Sequence, residues 1–274
     1  MSDIPEGTGL LEGRVALVTG AAGGIGAATA KAFARHGATL ALTDRRIDDL
    51  ERVAHEIAGA SPVHTVAADV TSFAEVQALV REVEERFGGL DVVANVAGGP
   101  AGPDSSRPIE ELDVDAWQRS LALNLSGPFH LMKAAIGPMR ARGGGAIVTI
   151  GSLASIRIST HAGAGYTAAK SGVLGLTRHA AFEFARDNVR VNAVLPGIVN
   201  GALMQSAPAA ATKQAEESIP LGRMTSNEEV ANAVLYLSSD LAAGVTGEYL
   251  VVDGGMQIGS PTSSKVYFEA RAAR

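Results

Sequence analysis

No cysteine occurs in the 274 residues, so disulfides and thiolate-ligated metals are excluded. Other metal sites fare no better. The six histidines are scattered, and neither a Cys-His cluster nor a His-Glu-x-x-His pattern occurs, so no metal is expected. Positive charge is not in excess either. The 23 Lys and Arg against 29 Asp and Glu leave a net charge of −6 and a pI near 5.5, which argues against nucleic acid as a partner. No apolar run is long enough to span a membrane, and residues 1–10 lack a basic stretch followed by an apolar core. The expectation is a cytoplasmic protein with no membrane partner. No Pro/Ser-rich linker, charge block or repeat divides the chain. The reading is one catalytic domain over 11–259, after a flexible segment at 1–10 and before a tail at 260–274.

What is present is a regular alternation. Short apolar runs at 14–19, 39–43, 63–67, 92–95, 146–150, 190–195 and 249–252 read as buried strands. Helical spacing occupies 24–36, 47–58, 73–87, 114–139, 165–184 and 227–237. Ser72 caps the third of these, with Glu75 completing a capping box, and Ser226 with Asn227 opens the last. Uninterrupted apolar strands between helices predict an α/β fold, a doubly wound parallel sheet covered on both faces. Ligands of such sheets sit beyond the carboxyl ends of the strands. The residues to inspect are therefore Gly20, Asp44, Asp69, Asn95, Ser152 and Pro196.

Gly20-Ala21-Ala22-Gly23-Gly24-Ile25-Gly26 follows the first strand and opens the first helix. Glycines here let a pyrophosphate approach the helix N-terminus, where free N–H groups and the dipole favour an anion. Asp44 follows the second strand, placed to accept hydrogen bonds from both hydroxyls of an adenosine ribose and to repel a 2′-phosphate. That points to NAD as cofactor. Arg45 and Arg46 give the opposite signal: they either receive a 2′-phosphate or face solvent. Asp69 and Val70 suit an adenine edge, Asp69 accepting and the Val70 N–H donating, although Asp69 is also a good turn residue.

Tyr166 and Lys170 are four residues apart and share one face of a helix. A phenol beside an ammonium is a tuned acid/base pair, because the positive charge draws the tyrosine pKa down from ~10 toward neutrality. Such a tyrosine can take a proton from an alcohol or return it.

Taken together, Thr19-Gly20-x-x-x-Gly24-x-Gly26, Asp69, Asn95-Val96-Ala97-Gly98, Asn124, Ser152, Tyr166-x-x-x-Lys170, Pro196-Gly197 and Asp253-Gly254-Gly255 resemble the short-chain dehydrogenase/reductase family over about residues 11–255. The resemblance implies a single-domain Rossmann-type fold, a nicotinamide cofactor and a homotetramer. It assigns Tyr166 as general acid/base and Ser152 as hydrogen-bond donor to the substrate oxygen. Lys170 would tune Tyr166 and hold the nicotinamide ribose. Asn124 would bend its helix and hold a relay water. The cofactor-binding set extends to Asn95, Ala97, Gly98, Pro196, Gly197 and Val199.

Four departures stand out. Val96 replaces a second asparagine, Gly151 precedes Ser152 where a serine is common, and the Ser152–Tyr166 connection is one residue longer than usual. Gly201 stands where relatives carry a threonine that contacts the nicotinamide carboxamide, with Asn200 as the candidate substitute. Residues 99–107, 156–165 and 201–219 should shape the substrate pocket, the last as a lid. Only Arg157 and His161 are cationic in the second of them. The expected substrate is an uncharged secondary alcohol or its ketone. The alternatives are a 3-oxoacyl thioester reductase and a catalytically idle NAD-binding sensor or scaffold. The tail either frays or packs on a neighbouring subunit.

Overall fold

The computed structural model describes residues 9–259 except 58, 60 and 160. The readings of residues 1–8 and of the tail lie outside that range. The strands are β1 (Val15–Thr19), β2 (Thr39–Asp44), β3 (Val63–Ala67), β4 (Val92–Asn95), β5 (Gly145–Ile150), β6 (Val189–Pro196) and β7 (Tyr249–Val252). The helices are α1 (Gly24–Arg35), α2 (Ile47–Ile57), α3 (Phe73–Phe87), α4 (Val114–Leu121), α5 (Gly127–Ala141), α6 (Gly163–Phe184), α7 (Ala202–Gln205), α8 (Ala209–Glu217) and α9 (Asn227–Ser238). The strands form one sheet in the order β3-β2-β1-β4-β5-β6-β7, with every pair parallel. None of the described helices is long and apolar enough to cross a membrane.

Alternate side chains along a strand point to opposite faces, and here both faces are covered. Ala16 and Val18 of β1 pack with Phe33 of α1, Leu50 of α2 and Val234 of α9. Val15 and Leu17 pack with Leu79 of α3 and with Leu131 and Met139 of α5. Ala28, Ala32 and Ala231 form the seam between α1 and α9, where small side chains let the two helices approach closely. The chain runs outward from β1 to β3 and then returns to lay β4 beside β1, pairing Thr19 with Asn95. That reversal opens a crevice at the carboxyl ends of β1 and β4.

Two expectations are corrected. The helix read over 114–139 is two helices joined by a π-helical turn, Ala122–Ser126. Proline explains the break: Pro128 has no N–H to offer the carbonyl of Asn124 four residues back, and its ring would clash there. The Gly127 N–H bonds Ala122 O instead, one residue further than an α-helix allows. Secondly, Glu75 does not close a capping box on Ser72. Ser72 accepts the Glu75 N–H at 3.4 Å, but the Glu75 carboxylate takes the Asp69 N–H at 2.9 Å. The stretch 201–219, read as a lid, carries the helices α7 and α8. Met204, Ala215 and Ile219 of this stretch pack with Leu153, Met224 and Met256.

Candidate active site

The turn after β1 is tight at Gly20 and Gly26. Gly20 and Gly24 adopt left-handed φ angles of 65° and 54°. A Cβ on Gly20 would lie 2.9 Å from the Ala97 backbone, and one on Gly26 would strike the Gly20 carbonyl. The Thr19 hydroxyl pins the facing loop by accepting the Val96 and Ala97 N–H groups, each at 3.1 Å. Helix α1 then begins at Gly23 with no side-chain cap and no acidic residue in its first turn. Its first residues line a cleft of about 390 Å³, bounded by Asp44 and Arg45 after β2, Asp69 and Val70 after β3, and Ala97 and Gly98 after β4. Uncapped N–H groups at the positive end of a helix favour an anion. A bare helix start, a cradle that a Cβ on Gly20 or Gly26 would fill and a carboxylate at the end of β2 together fit a nicotinamide dinucleotide.

Asp44 accepts the Arg46 N–H at 3.1 Å and the Ala22 N–H at 3.4 Å, which ties the end of β2 to the glycine turn. Both arginines are exposed, and each engages a carboxylate. Arg46 lies 2.8 Å from Asp49 and 3.7 Å from Asp44, and Arg45 lies 3.8 Å from Asp69. Burial works against ionisation of Asp69. Hydrogen bonds from the Thr71 N–H and hydroxyl, with Arg45, outweigh it and hold the carboxyl below its usual range. Oδ1 of Asp69 is thereby committed to its own turn.

Ser152 leaves β5 and caps the short 3₁₀ turn Leu153–Ser155. Its Oγ accepts the Ala154 N–H at 3.1 Å, and Ser155 Oγ accepts the Ser152 N–H at 3.3 Å, so the hydroxyl is held in place. The Ser152 side chain is near enough to the Tyr166 hydroxyl on α6 to favour its ionised form. One turn along α6, Lys170 is buried. Its ammonium donates to Ile150 O at 2.7 Å and stands 5.7 Å from the centre of the Tyr166 ring. Asn124, in the π-helical turn, donates to Gly99 O at 2.9 Å and Ser120 O at 3.1 Å and accepts the Gly99 N–H at 2.9 Å. Gly98 joins the two halves: a Cβ there would sit 3.0 Å from Asn124 Oδ1 and 3.1 Å from Lys170 Nζ.

The electrostatics differ from the expectation in one respect. The Tyr166 phenol lies above its ordinary value rather than drawn toward neutrality. Burial pushes the phenol up, and the Ser152 side chain is what works in the opposite direction. Burial also drives the Lys170 ammonium down, to about 8. Desolvation dominates both groups.

The structure thus brings Ser152, Tyr166, Lys170 and Asn124 together and sets Gly20, Gly24, Ile25, Gly26, Asp44, Arg45, Asp69, Val70, Ala97 and Gly98 on the cleft. Other predicted residues sit behind it. The Asn95 side chain is buried, 3.4 Å from the Thr19 hydroxyl it accepts from. Gly197, after Pro196, packs on Asp253, and Val199 bridges to Thr225. The positioning roles of Thr19, Ser155 and the Ile150 carbonyl went unread. Thr19 and Ser155 carry the same signal, a hydroxyl at a strand end or turn; a main-chain carbonyl carries none.

A family model described as enoyl-(acyl carrier protein) reductase matches residues 20–257. The chain is 36% identical over 248 residues to a 3alpha-hydroxysteroid dehydrogenase of Mediterraneibacter gnavus, covering 89% of this chain and 97% of that protein. It is 42% identical over 245 residues to a cis-4-hydroxycyclohexanecarboxylate dehydrogenase of Sinomonas cyclohexanicum, covering 88% and 96%. A crystal structure of a short-chain dehydrogenase/reductase from Burkholderia xenovorans superposes with a TM-score of 0.84 at 38% identity, covering 92% of this chain and 99% of the other.

Proposed function

The chain belongs to the short-chain dehydrogenase/reductase family, and on that premise we propose that it is an NAD-dependent dehydrogenase of an uncharged secondary alcohol. The observation that carries this reading is the Ser152–Tyr166–Lys170 cluster, joined through Gly98 to a cleft shaped for a dinucleotide. Gly20, Gly24, Ile25 and Gly26 would hold the pyrophosphate, Asp44 the adenosine ribose, and Asp69 and Val70 the adenine. Asn95, Ala97 and Gly98 would back the cofactor, and Pro196, Gly197 and Val199 would border its nicotinamide. Bound NAD supplies the acceptor for the hydride that leaves the carbinol carbon.

The chain's own work is proton handling. Tyr166 Oη takes the hydroxyl proton as its general base, and Ser152 Oγ donates to the same oxygen and holds it. Because burial opposes the phenolate, oxidation quickens as pH rises and Tyr166 loses its proton. Lys170 secures the end of β5 and offers its remaining donors to ribose hydroxyls. Asn124 fixes the Gly99 backbone that borders the site.

Two relatives are named for ring alcohols, a 3alpha-hydroxysteroid and cis-4-hydroxycyclohexanecarboxylate, which supports a ring alcohol, although the second of these carries a carboxylate. So does the apolar group Leu153, Met204 and Met256 beside Ser152, with Ile156 and Ile158 exposed at its lip. Arg157 there donates to Met256 O, at 3.4 Å. The second reading, a 3-oxoacyl thioester reductase, is favoured by the acyl carrier protein in the description of the matching family model. We further propose a cytoplasmic homotetramer. Steady-state rates with NAD and NADP against ring alcohols, linear alcohols and 3-oxoacyl thioesters test the reading. Fastest turnover of NAD with a ring alcohol is expected; turnover confined to thioesters would replace it with the second reading.

A further inference from the structure

Gly201 contributes no side chain to the cofactor's surroundings, and the nearby Asn200 does not make up the loss. Asn200 is exposed, and its main-chain N–H is committed to Thr225 O at 2.8 Å. A different asparagine reaches the gap. Asn227 is the first residue of α9, and its Oδ1 lies 3.9 Å from where a Cβ on Gly201 would stand. The same atom lies 3.8 Å from where a Cβ on Gly24 would stand, at the uncapped start of α1. The carboxamide therefore spans the glycine turn and the segment after β6.

Its place is rigid. Ser226 and Glu229 form a full capping box, Ser226 Oγ accepting the Glu229 N–H at 3.1 Å and Glu229 accepting the Ser226 N–H at 2.9 Å. Thr225 is stitched to the segment after β6 through Ile198 O and the Asn200 N–H. Yet among the described residues the Asn227 side chain makes no hydrogen bond. The half-buried amide stands beside a bare helix start with no hydrogen-bond partner among the described residues, so its donor is free for a ligand.

We propose that Asn227 is a cofactor-binding residue whose side-chain nitrogen donates to the diphosphate of the dinucleotide. The proposal rests on the dinucleotide reading of the cleft. A half-turn of the side chain exchanges the amide oxygen and nitrogen, and phosphate oxygens only accept, so the nitrogen faces them. The alternative is a strut that holds the Gly201 segment to α1 in the free protein.

The test titrates the full chain with NADH, ADP-ribose and adenosine by calorimetry, for wild type, Asn227→Ala and Asn227→Asp, and records Tm without ligand. Asn227→Ala should bind NADH and ADP-ribose about tenfold more weakly and adenosine unchanged. Asn227→Asp should lose ~10²-fold for NADH and ADP-ribose, with the loss shrinking as salt rises. Its Tm should nonetheless hold or rise, because a carboxylate in the first turn of α9 suits the helix dipole. Wild-type affinity for ADP-ribose in Asn227→Ala overturns the proposal, as does a lowered Tm with adenosine weakened in parallel, the signature of a strut. If wild type binds none of NADH, NADPH and ADP-ribose, the dinucleotide reading itself fails and takes the proposal with it.

Discussion

Lys170 is carried into the interior with the Ile150 carbonyl as its hydrogen-bond acceptor and the Tyr166 ring beside it, and burial lowers its pKa. The direction of the linkage is unambiguous. Burial lowers the folded pKa to about 8 from 10.5, so between these values the unfolded chain binds more protons and stability rises with pH. Below about 8 the full penalty is present; above 10.5 it is gone. Lys170→Met should therefore stabilise the fold at pH 7 by up to ~3 kcal/mol, at about 1.4 kcal/mol per tenfold. The gain should fade between pH 8 and 10.5, as denaturant unfolding at each pH would show. A destabilised variant at pH 7 would mean that the Ile150 hydrogen bond outweighs desolvation. Asp44 sets the other residue-scale prediction. Its carboxylate lies on the cleft, and Arg45 and Arg46 already have carboxylate partners. Asp44→Ser should raise kcat/KM with NADP by ~10²-fold relative to NAD, since it removes a like-charge clash of a few kcal/mol. No gain with NADP would place both arginines outside reach of a 2′-phosphate.

At the scale of elements, legibility followed the locality of the signal. Strands β3, β4 and β7 match the apolar runs residue for residue: β4 is buried throughout, and in the less buried edge strands β3 and β7 the apolar and β-branched run still marks the strand. The Ser226 and Glu229 box was half-read from the Ser226 cap, since such caps involve only neighbours in sequence. The resemblance implied a bend at Asn124, but not the π-helical turn that contains it. Its cause combines Pro128 with a bond from Asn124 to Gly99, a residue 25 positions away. Glu75 failed as a capping partner for the same kind of reason, a competing N–H at Asp69. The residue types and spacing of the candidate site were legible, but the burial that sets the titration of Tyr166 and Lys170 was not.

Ser226→Ala should cost about 1 kcal/mol, the usual worth of a cap. Glu229, paired with Arg223 and accepting the Ser226 N–H, is held down to about 2. Its contribution is present above pH 4.5 and is lost as pH falls toward 2. Because the side chain is 39% exposed, solvent screening keeps that contribution small. Acid unfolding of Glu229→Gln beside wild type checks the sign: the two curves should converge at low pH.

At the scale of the whole molecule, β7 closes one edge of the sheet with Tyr249 and Leu250 exposed, and Tyr236 and Leu241 lie exposed on and just after α9. An open strand edge beside apolar side chains is a natural self-association surface. Light scattering should find a tetramer for wild type and a smaller species for Leu250→Lys; equal masses would place the contact elsewhere. The central claim is that a tyrosine, positioned at the carboxyl edge of a dinucleotide-binding sheet, takes the proton of a secondary alcohol. The most direct test compares NADH formation by wild type and Tyr166→Phe from one ring alcohol at saturating NAD, with NADH affinity measured for both. The account predicts equal affinity and a loss in kcat of at least ~10²-fold, because only the ionisable oxygen is removed. Near-normal kcat in Tyr166→Phe would contradict it.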